Sequence, residues 1–465
     1  MKFCRRPFDG MYFMPDGNVS VCGWTDATIG NIIEEDIDSI WHGEIAERVR
    51  ASVKDGSYRY CRKESCPFLE NDSLPDISQE EMDKMIATDK PKDLTVANDL
   101  ICNHSCPSCR DKVFCPSPEY KEKLQKQFEV ILPLLNQADT MDACGAGDLF
   151  ASNMMMDMLS QVRPQNPNCT INLETNGALF DEMHWEKIKH LGEYNLGVTV
   201  TPNSFEEDTF RYLNGGHNSY QAVINNLYFL KKLRKEGIIK TLRISIVVQD
   251  RNFYELPAFA QRCIEDFGAD KVAVKPIYKW FGLSEELHWM KDVMNPEHPY
   301  HQEWLKVLEA PILKDPRVYL WGGVTNTHVP KKHPAYKYKD MLDMVKTLMK
   351  IDNVADRIAA YLSDKGADEI IIYGDTALAY VIGSMLKDSD IRVKCILARD
   401  RSDCEQTDEA LRVESFWEYE LTDNDFILIS NYLDRKYIER DLALKNYKGN
   451  LMDIREIVEV LEEQR

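Results

Sequence analysis

Apolar residues recur along this chain in short runs separated by longer stretches of helical spacing. Between residues 93 and 325 the runs are Leu94–Ala97, Met141–Cys144, Thr170–Glu174, Gly197–Thr201, Leu242–Val248 and Lys271–Lys275. Stretches 119–136, 153–162, 219–236 and 253–266 lie between them with helical periodicity. These six β-α units in a row predict a parallel sheet with helical crossovers. Such a sheet curls into a partial (β/α)6 barrel of the TIM type, where chemistry sits at the strand ends.

Two further segments flank that core. Residues 335–465 begin with a helical run, Tyr338–Leu362, followed by strand candidates Glu369–Gly374, Val393–Ala398 and Asp425–Ser430. This predicts a small Rossmann-like α/β domain. Residues 1–75 contain short strand-like runs around Asp16-Gly17, a turn dipeptide that predicts a hairpin. Residues 69–92 are polar and turn-rich and read as a connector. The fold class is therefore α/β in three domains: 1–75, 93–325 and 335–465.

Composition narrows the function. Of 465 residues, 57 are basic and 77 acidic, for a net charge of −20. Such a surface repels phosphate backbones, so no nucleic-acid partner is expected. No run approaches the apolar length of a membrane helix, and Met1–Arg6 lacks a signal-peptide core, so we expect a cytoplasmic protein without a membrane partner. Thirteen cysteines in such a chain argue for metal ligation over disulfides.

The first run ends in Asp99-Leu100-Ile101-Cys102-Asn103-His104-Ser105-Cys106-Pro107-Ser108-Cys109-Arg110. Cys102, Cys106 and Cys109 are spaced C-x3-C-x2-C. Thiolates suit iron–sulfur clusters and zinc. This stretch closely resembles the signature of the radical S-adenosylmethionine (SAM) enzymes. The resemblance implies a 4Fe–4S cluster held by those three cysteines, with its open iron chelating SAM. One electron then yields methionine and a 5′-deoxyadenosyl radical. It also implies an electron donor such as flavodoxin or ferredoxin. His104 is expected outside the ligand set.

The other strand ends are polar as well. Gly145-Ala146-Gly147-Asp148 resembles the family's Gly-Gly-Glu motif, with Ala146 and Asp148 departing from it; glycine lets backbone approach the SAM ammonium. A ligand-free glycine turn is the other reading. Asn176, in Thr175-Asn176-Gly177, is a cofactor contact or simply part of a turn. Thr201 and Gln249 are contacts by analogy of position. Alternation puts Arg243, Ser245 and Val247 on one face, so Arg243 meets either the SAM carboxylate or an inward acid such as Glu174. Cys115 and Cys144 are left without a role, and Trp185 is expected to pack at a helix start. The aromatic stretch Tyr278-Lys279-Trp280-Phe281, with His288-Trp289, walls a pocket or packs.

Cys4, Cys22, Cys61 and Cys66 form a second set, with Cys22-Gly23-Trp24 and Cys66-Pro67 around it. A segment this small benefits from a metal staple. The pattern resembles the SPASM module attached to many radical SAM enzymes, here preceding the core. The resemblance implies a second, auxiliary 4Fe–4S cluster on these four cysteines; a structural zinc site is the alternative.

In the last segment only Gly374 of a dinucleotide fingerprint is present, with Thr376 and Ala379 at the other two positions. Substrate recognition or dimerisation is therefore expected there before nucleotide binding. Relatives imply either a sugar-like small metabolite or a peptide as substrate. A two-cluster electron carrier or zinc-binding scaffold is the non-enzymatic alternative.

Overall fold

The computed structural model describes residues 2–463 except 64–65, 71, 111, 279–282, 323, 325–334, 399–410, 417–418 and 433–434. Lys279, Trp280, Phe281 and the stretch 328–334 thus lie outside the described residues. The chain forms two compact units, Met1–His333 and Pro334–Arg465.

The first unit is built on one ten-stranded sheet. Its strands are β1 (Gly10–Phe13), β2 (Asn18–Ser20), β3 (Gly30–Asn31), β4 (Asp93–Val96), β5 (Thr140–Ala143), β6 (Thr170–Thr175), β7 (Asn195–Val200), β8 (Thr241–Val248), β9 (Lys271–Pro276) and β10 (Val318–Leu320). The spatial order is β10-β9-β8-β7-β6-β5-β4-β1-β2-β3. From β4 to β10 the strands follow chain order and pair in parallel. Helices Pro118–Leu135, Asn153–Gln161, Tyr220–Lys235 and Leu256–Glu265 lie where helical periodicity predicted them. Ser117 and Ser152 cap the first two of these through side-chain acceptors.

Two features depart from the hydropathy pattern. Val318–Leu320 adds a strand beyond β9 that is too short to stand out. More consequentially, β1 pairs in parallel with β4. The amino-terminal segment thus continues the core sheet. The expected hairpin at Gly17 follows, with β1 and β2 antiparallel. Gly17 has φ +87°, and a Cβ there would lie 2.7 Å from the Ile33 side chain.

Register divides the sheet into two faces. Leu94, Val96, Met141, Ala143, Ile171, Leu173, Val198, Val200, Ile244 and Ile246 occupy one face and are buried. Each large aliphatic among them contributes about 1.5–3 kcal/mol of burial. The other face is polar: Tyr12, Thr95, Asp142 and Asn172 share one row, and Glu174, Thr199, Arg243 and Lys271 share the next. Lys275 Nζ on β9 meets Glu174 Oε1 on β6 at 2.5 Å. Three strand steps separate them, roughly 14 Å in a flat sheet. Side chains that stand perpendicular to a sheet do not meet over that span. The sheet therefore bends, with its polar face concave.

The second unit has a five-stranded parallel sheet: β11 (Glu369–Tyr373), β12 (Arg392–Ala398), β13 (Val413–Ser415), β14 (Phe426–Ile429) and β15 (Asn450–Asp453). Its order is β13-β12-β11-β14-β15. β13 and β15 were not read from the sequence; each is three or four residues long. The expected single helix divides into Ala335–Leu348 and Val354–Asp364, the second starting after Asn353 at φ +52°. Among the described residues no helix is long and apolar enough to cross a membrane.

Candidate metal centre and cofactor cradle

The Cys102–Cys109 loop leaves the carboxyl end of β4. Asp99 Oδ1 accepts from Ile101 N and from Tyr120 Oη, both at 3.0 Å, which fixes the start of the loop. Cys109 N and Arg110 N both donate to Cys106 O, closing the C-x2-C turn. Burial, followed by Cys102 and Cys109, pushes the Cys106 thiol up to about 12. Burial, followed by Asp148, pushes Cys102 up to about 11. Cys102 and Cys109 thus both oppose ionisation of the Cys106 thiol. A metal that binds there must release their protons.

His104 turns away from the thiols. Its Nε2 lies 2.8 Å from Ser219 Oγ, and its ring stacks on His217 at 5.6 Å. Burial, then His217, pushes it down to about 4, so it stays neutral. Ser105 Oγ meets His217 Nε2 at 3.0 Å. Asn214–Ser219 is therefore a clamp on the outer side of the cysteine loop.

The glycine turn after β5 presses on the same loop. A Cβ on Gly147 would sit 2.1 Å from Ile101 O, and one on Gly145 would sit 2.0 Å from Gly147 O. Asp148 is buried, and its carboxylate accepts from Thr175 Oγ1 (2.8 Å), Asn176 N (2.7 Å) and Phe150 N (3.1 Å). It ties the end of β5 to the end of β6. Burial raises its carboxyl against those hydrogen bonds. Asn176 Nδ2 donates to Asn103 Oδ1 at 2.8 Å and lies 4.0 Å from Cys102 Sγ. Gly145, Gly147, Asp148 and Asn176 thus converge on the cysteine loop.

Sequence reasoning missed Arg110. Its guanidinium donates to Leu100 O (2.7 Å), to Ala146 O and toward Cys109 Sγ (3.7 Å), bridging loop and glycine turn. Its position directly after Cys109 was the only available signal.

Thr201 Oγ1 meets Ser245 Oγ at 2.7 Å on the concave face. Gln249 is 1% exposed, and neither its amide oxygen nor its amide nitrogen has a hydrogen-bond partner among the described residues. A buried amide left that way is costly and fits a site made for a polar ligand. Arg243 does not take Glu174; Lys275 does, and Arg243 adds only longer-range charge. Burial opposes ionisation of Glu174, but Lys275 and Arg243 hold its carboxyl below the usual range. Lys275 was also missed, because its partner lies 101 residues away.

The amino-terminal thiols form their own set. Burial, then Cys22, pushes Cys4 up to about 12; burial pushes Cys22 up to about 11, with Cys66 adding to it. Cys61 rises through burial, Cys22, Cys4 and Cys66. Backbone N–H groups of Trp24 and Thr25 donate toward Cys22 sulfur. Among the described residues no three His, Cys, Asp or Glu side chains converge as one metal ion requires. A cubane differs, taking one thiolate at each iron.

This module faces the concave side of the sheet. A Cβ on Gly23 would approach the Tyr12 ring to 3.1 Å, and Trp24 packs edge-on to Tyr278 at 5.0 Å. Of the remaining expected aromatics, Trp185 stacks on Phe180, and His288 contacts Ile277 O at 3.0 Å. Cys115 is exposed, and Cys144 lies on the concave face beside Glu174 and Asp142.

Residues 4–67 match the iron–sulfur cluster-binding domain called SPASM. Solved structures similar to this chain include SuiB of Streptococcus suis bound to S-adenosylmethionine, at 12% identity and TM-score 0.30, covering 52% of this chain and 53% of that one. SuiB bound to precursor peptide SuiA gives 14% and 0.29, over 50% and 53%. Methylornithine synthase (PylB) gives 13% and 0.28, over 40% and 54%. The chain thus spans about half the length of each. No curated protein matches it. Cys4, Cys22, Cys61 and Cys66 all lie inside the matched span, so the amino-terminal segment 4–67 is similar to the SPASM iron–sulfur cluster-binding domain.

Proposed function

We propose that this chain is a radical SAM enzyme with two 4Fe–4S clusters, one on Cys102, Cys106 and Cys109 and an auxiliary one on Cys4, Cys22, Cys61 and Cys66. The observation that carries the reading is the approach of the glycine turn and of Asn176 to the loop that bears the three cysteines, at adjacent strand ends. The bent seven-strand run β4–β10 supports a partial (β/α) barrel around that loop. The order of the second unit's sheet, with its middle strand first in the chain, supports a Rossmann-like domain.

Cys102, Cys106 and Cys109 would hold the cluster, which when bound would supply the electron for reductive cleavage of SAM. The residues around it bind and orient. Gly145 and Gly147 keep side chains out of the path between glycine turn and cysteine loop. Asn176, Thr201 and Gln249 offer amides and a hydroxyl to the cofactor, and Arg243 offers a guanidinium to its carboxylate. Asp148 holds the turns in register, and Arg110 braces the loop against the glycine turn.

For the substrate we propose a polar, sugar-like small metabolite rather than a peptide. The concave face supports this: it is lined by Asp142, Asn172, Glu174, Thr199 and Lys275, which favour a hydroxylated molecule. Cys4, Cys22, Cys61 and Cys66 would hold an auxiliary cluster that binds the substrate or accepts an electron from it; in the second case loss of a hydrogen atom, an electron and a proton from the substrate would make the reaction an oxidation. Flavodoxin or ferredoxin fits as donor. The second unit is assigned to substrate recognition or dimerisation.

Anaerobic reconstitution tests the reading. The chain should take up iron and sulfide for two cubanes and form 5′-deoxyadenosine from SAM and a reductant. Cys106→Ala should abolish that product and remove about half of the iron, leaving the cubane on the four amino-terminal cysteines. Iron without SAM cleavage would point to an electron carrier; zinc in place of iron would point to a scaffold. Loss of both clusters in Cys106→Ala would contradict the division of ligands.

A further inference from the structure

The short helix Arg6–Asp9 starts two residues after Cys4, and its first residue carries a guanidinium to the concave face. Its backbone N–H donates toward Cys4 sulfur, and its charge acts on both Cys4 and Cys22. The same guanidinium reaches the core sheet: Nη1 lies 3.1 Å from Asp93 Oδ1 on β4, and Nη2 lies 3.7 Å from Asp142 Oδ2 on β5. Asp142 also accepts from Asn172 Nδ2 on β6 at 2.7 Å. A chain of polar contacts thus runs from the auxiliary site along the face where the substrate is proposed to bind.

We infer that Arg6 and Asp142 set the reduction potential of the auxiliary cluster with opposite signs, and so couple that cluster to charge on the concave face. The inference rests on the reading of Cys4, Cys22, Cys61 and Cys66 as its ligands. An electron entering the cluster adds one negative charge. A nearby cation stabilises that reduced form, and a nearby carboxylate opposes it. Arg6 therefore makes the cluster a better electron acceptor, and Asp142 moderates it. A substrate that draws Asp142 toward itself leaves the guanidinium to the cluster and raises its potential further. Arg6 is a positioning residue, acting through the cluster; Asp142 reaches the cluster through Arg6.

The plain alternative is an ion pair that only pins the module to the sheet. The two readings separate in the full chain carrying Cys102→Ala, Cys106→Ala and Cys109→Ala, which keeps the auxiliary cluster alone. Its midpoint is followed by redox titration and electron paramagnetic resonance, with iron and sulfide per chain as control. Arg6→Gln should move the midpoint to more negative values, Arg6→Lys should largely restore it, and Asp142→Asn should move it to more positive values. A pinning role predicts no such opposition of sign. If Arg6→Gln does not assemble a cluster, Asp142→Asn decides. Midpoints unchanged in both variants, or shifted in the same direction, overturn the inference alone. A parent chain that assembles no cluster overturns the ligand assignment, and the inference with it.

Discussion

At the scale of single residues, the site depends on backbone contact more than on charged side chains. Gly147 shows it: a methyl group there would stand 2.1 Å from Ile101 O, so the cysteine loop must move. A displacement of about 1 Å at a reacting centre costs on the order of 10²-fold in rate. Gly147→Ala should therefore lower 5′-deoxyadenosine formation by about that factor while iron content stays unchanged, as product chromatography and iron analysis will show. Asp93 gives a prediction in pH. Burial, opposed by Arg6, pushes its carboxyl up to about 6. An unfolded aspartate titrates near about 4. Between those values the folded chain holds the proton more tightly than the unfolded chain. This contribution to stability is thus present at low pH and lost as pH rises through about 6. Asp93→Asn should remove that dependence: its urea midpoint should gain on the parent at pH 7.5 and not at pH 4.5.

At the scale of elements, the bend of the sheet rests partly on one cross-strand pair. Lys275 and Glu174 join β9 to β6, and Lys275 also lies over the Trp321 ring. Removing one partner of a fully buried pair costs about 3–5 kcal/mol. Glu174 keeps 38% of its side chain exposed, so solvent screens part of the loss. Lys275→Met should cost about 1–2 kcal/mol by urea denaturation, and Lys275→Arg should recover much of it. β1 makes the same point about long-range order. Four residues pair it with β4 across some eighty residues of chain, joining the amino-terminal segment to the strand that leads into the cysteine loop.

At the scale of the whole molecule, the two compact units have separate hydrophobic cores. Gly374 separates them experimentally. It sits at φ +113°, and a Cβ there would meet Asn431 Cβ at 2.8 Å. Gly374→Ala should destabilise the second unit by about 1–3 kcal/mol. Calorimetry should show one transition lowered and the other unmoved.

What the sequence alone determined was local. The three loop cysteines lie within eight positions, so their spacing alone puts them on one loop without knowledge of the fold. The helices from Pro118 to Glu265 were legible for a similar reason, since amphipathic spacing is written residue by residue. Tertiary structure decided what depends on distant partners. Spacing alone did not reveal that the Asp148 carboxylate grips Thr175 and Asn176, that Lys275 rather than Arg243 answers Glu174, or that β1 joins β4. A period of two or of 3.6 states which way a side chain points from its own backbone; which strand lies opposite is settled only when the whole sheet closes its hydrogen bonds and buries its apolar face.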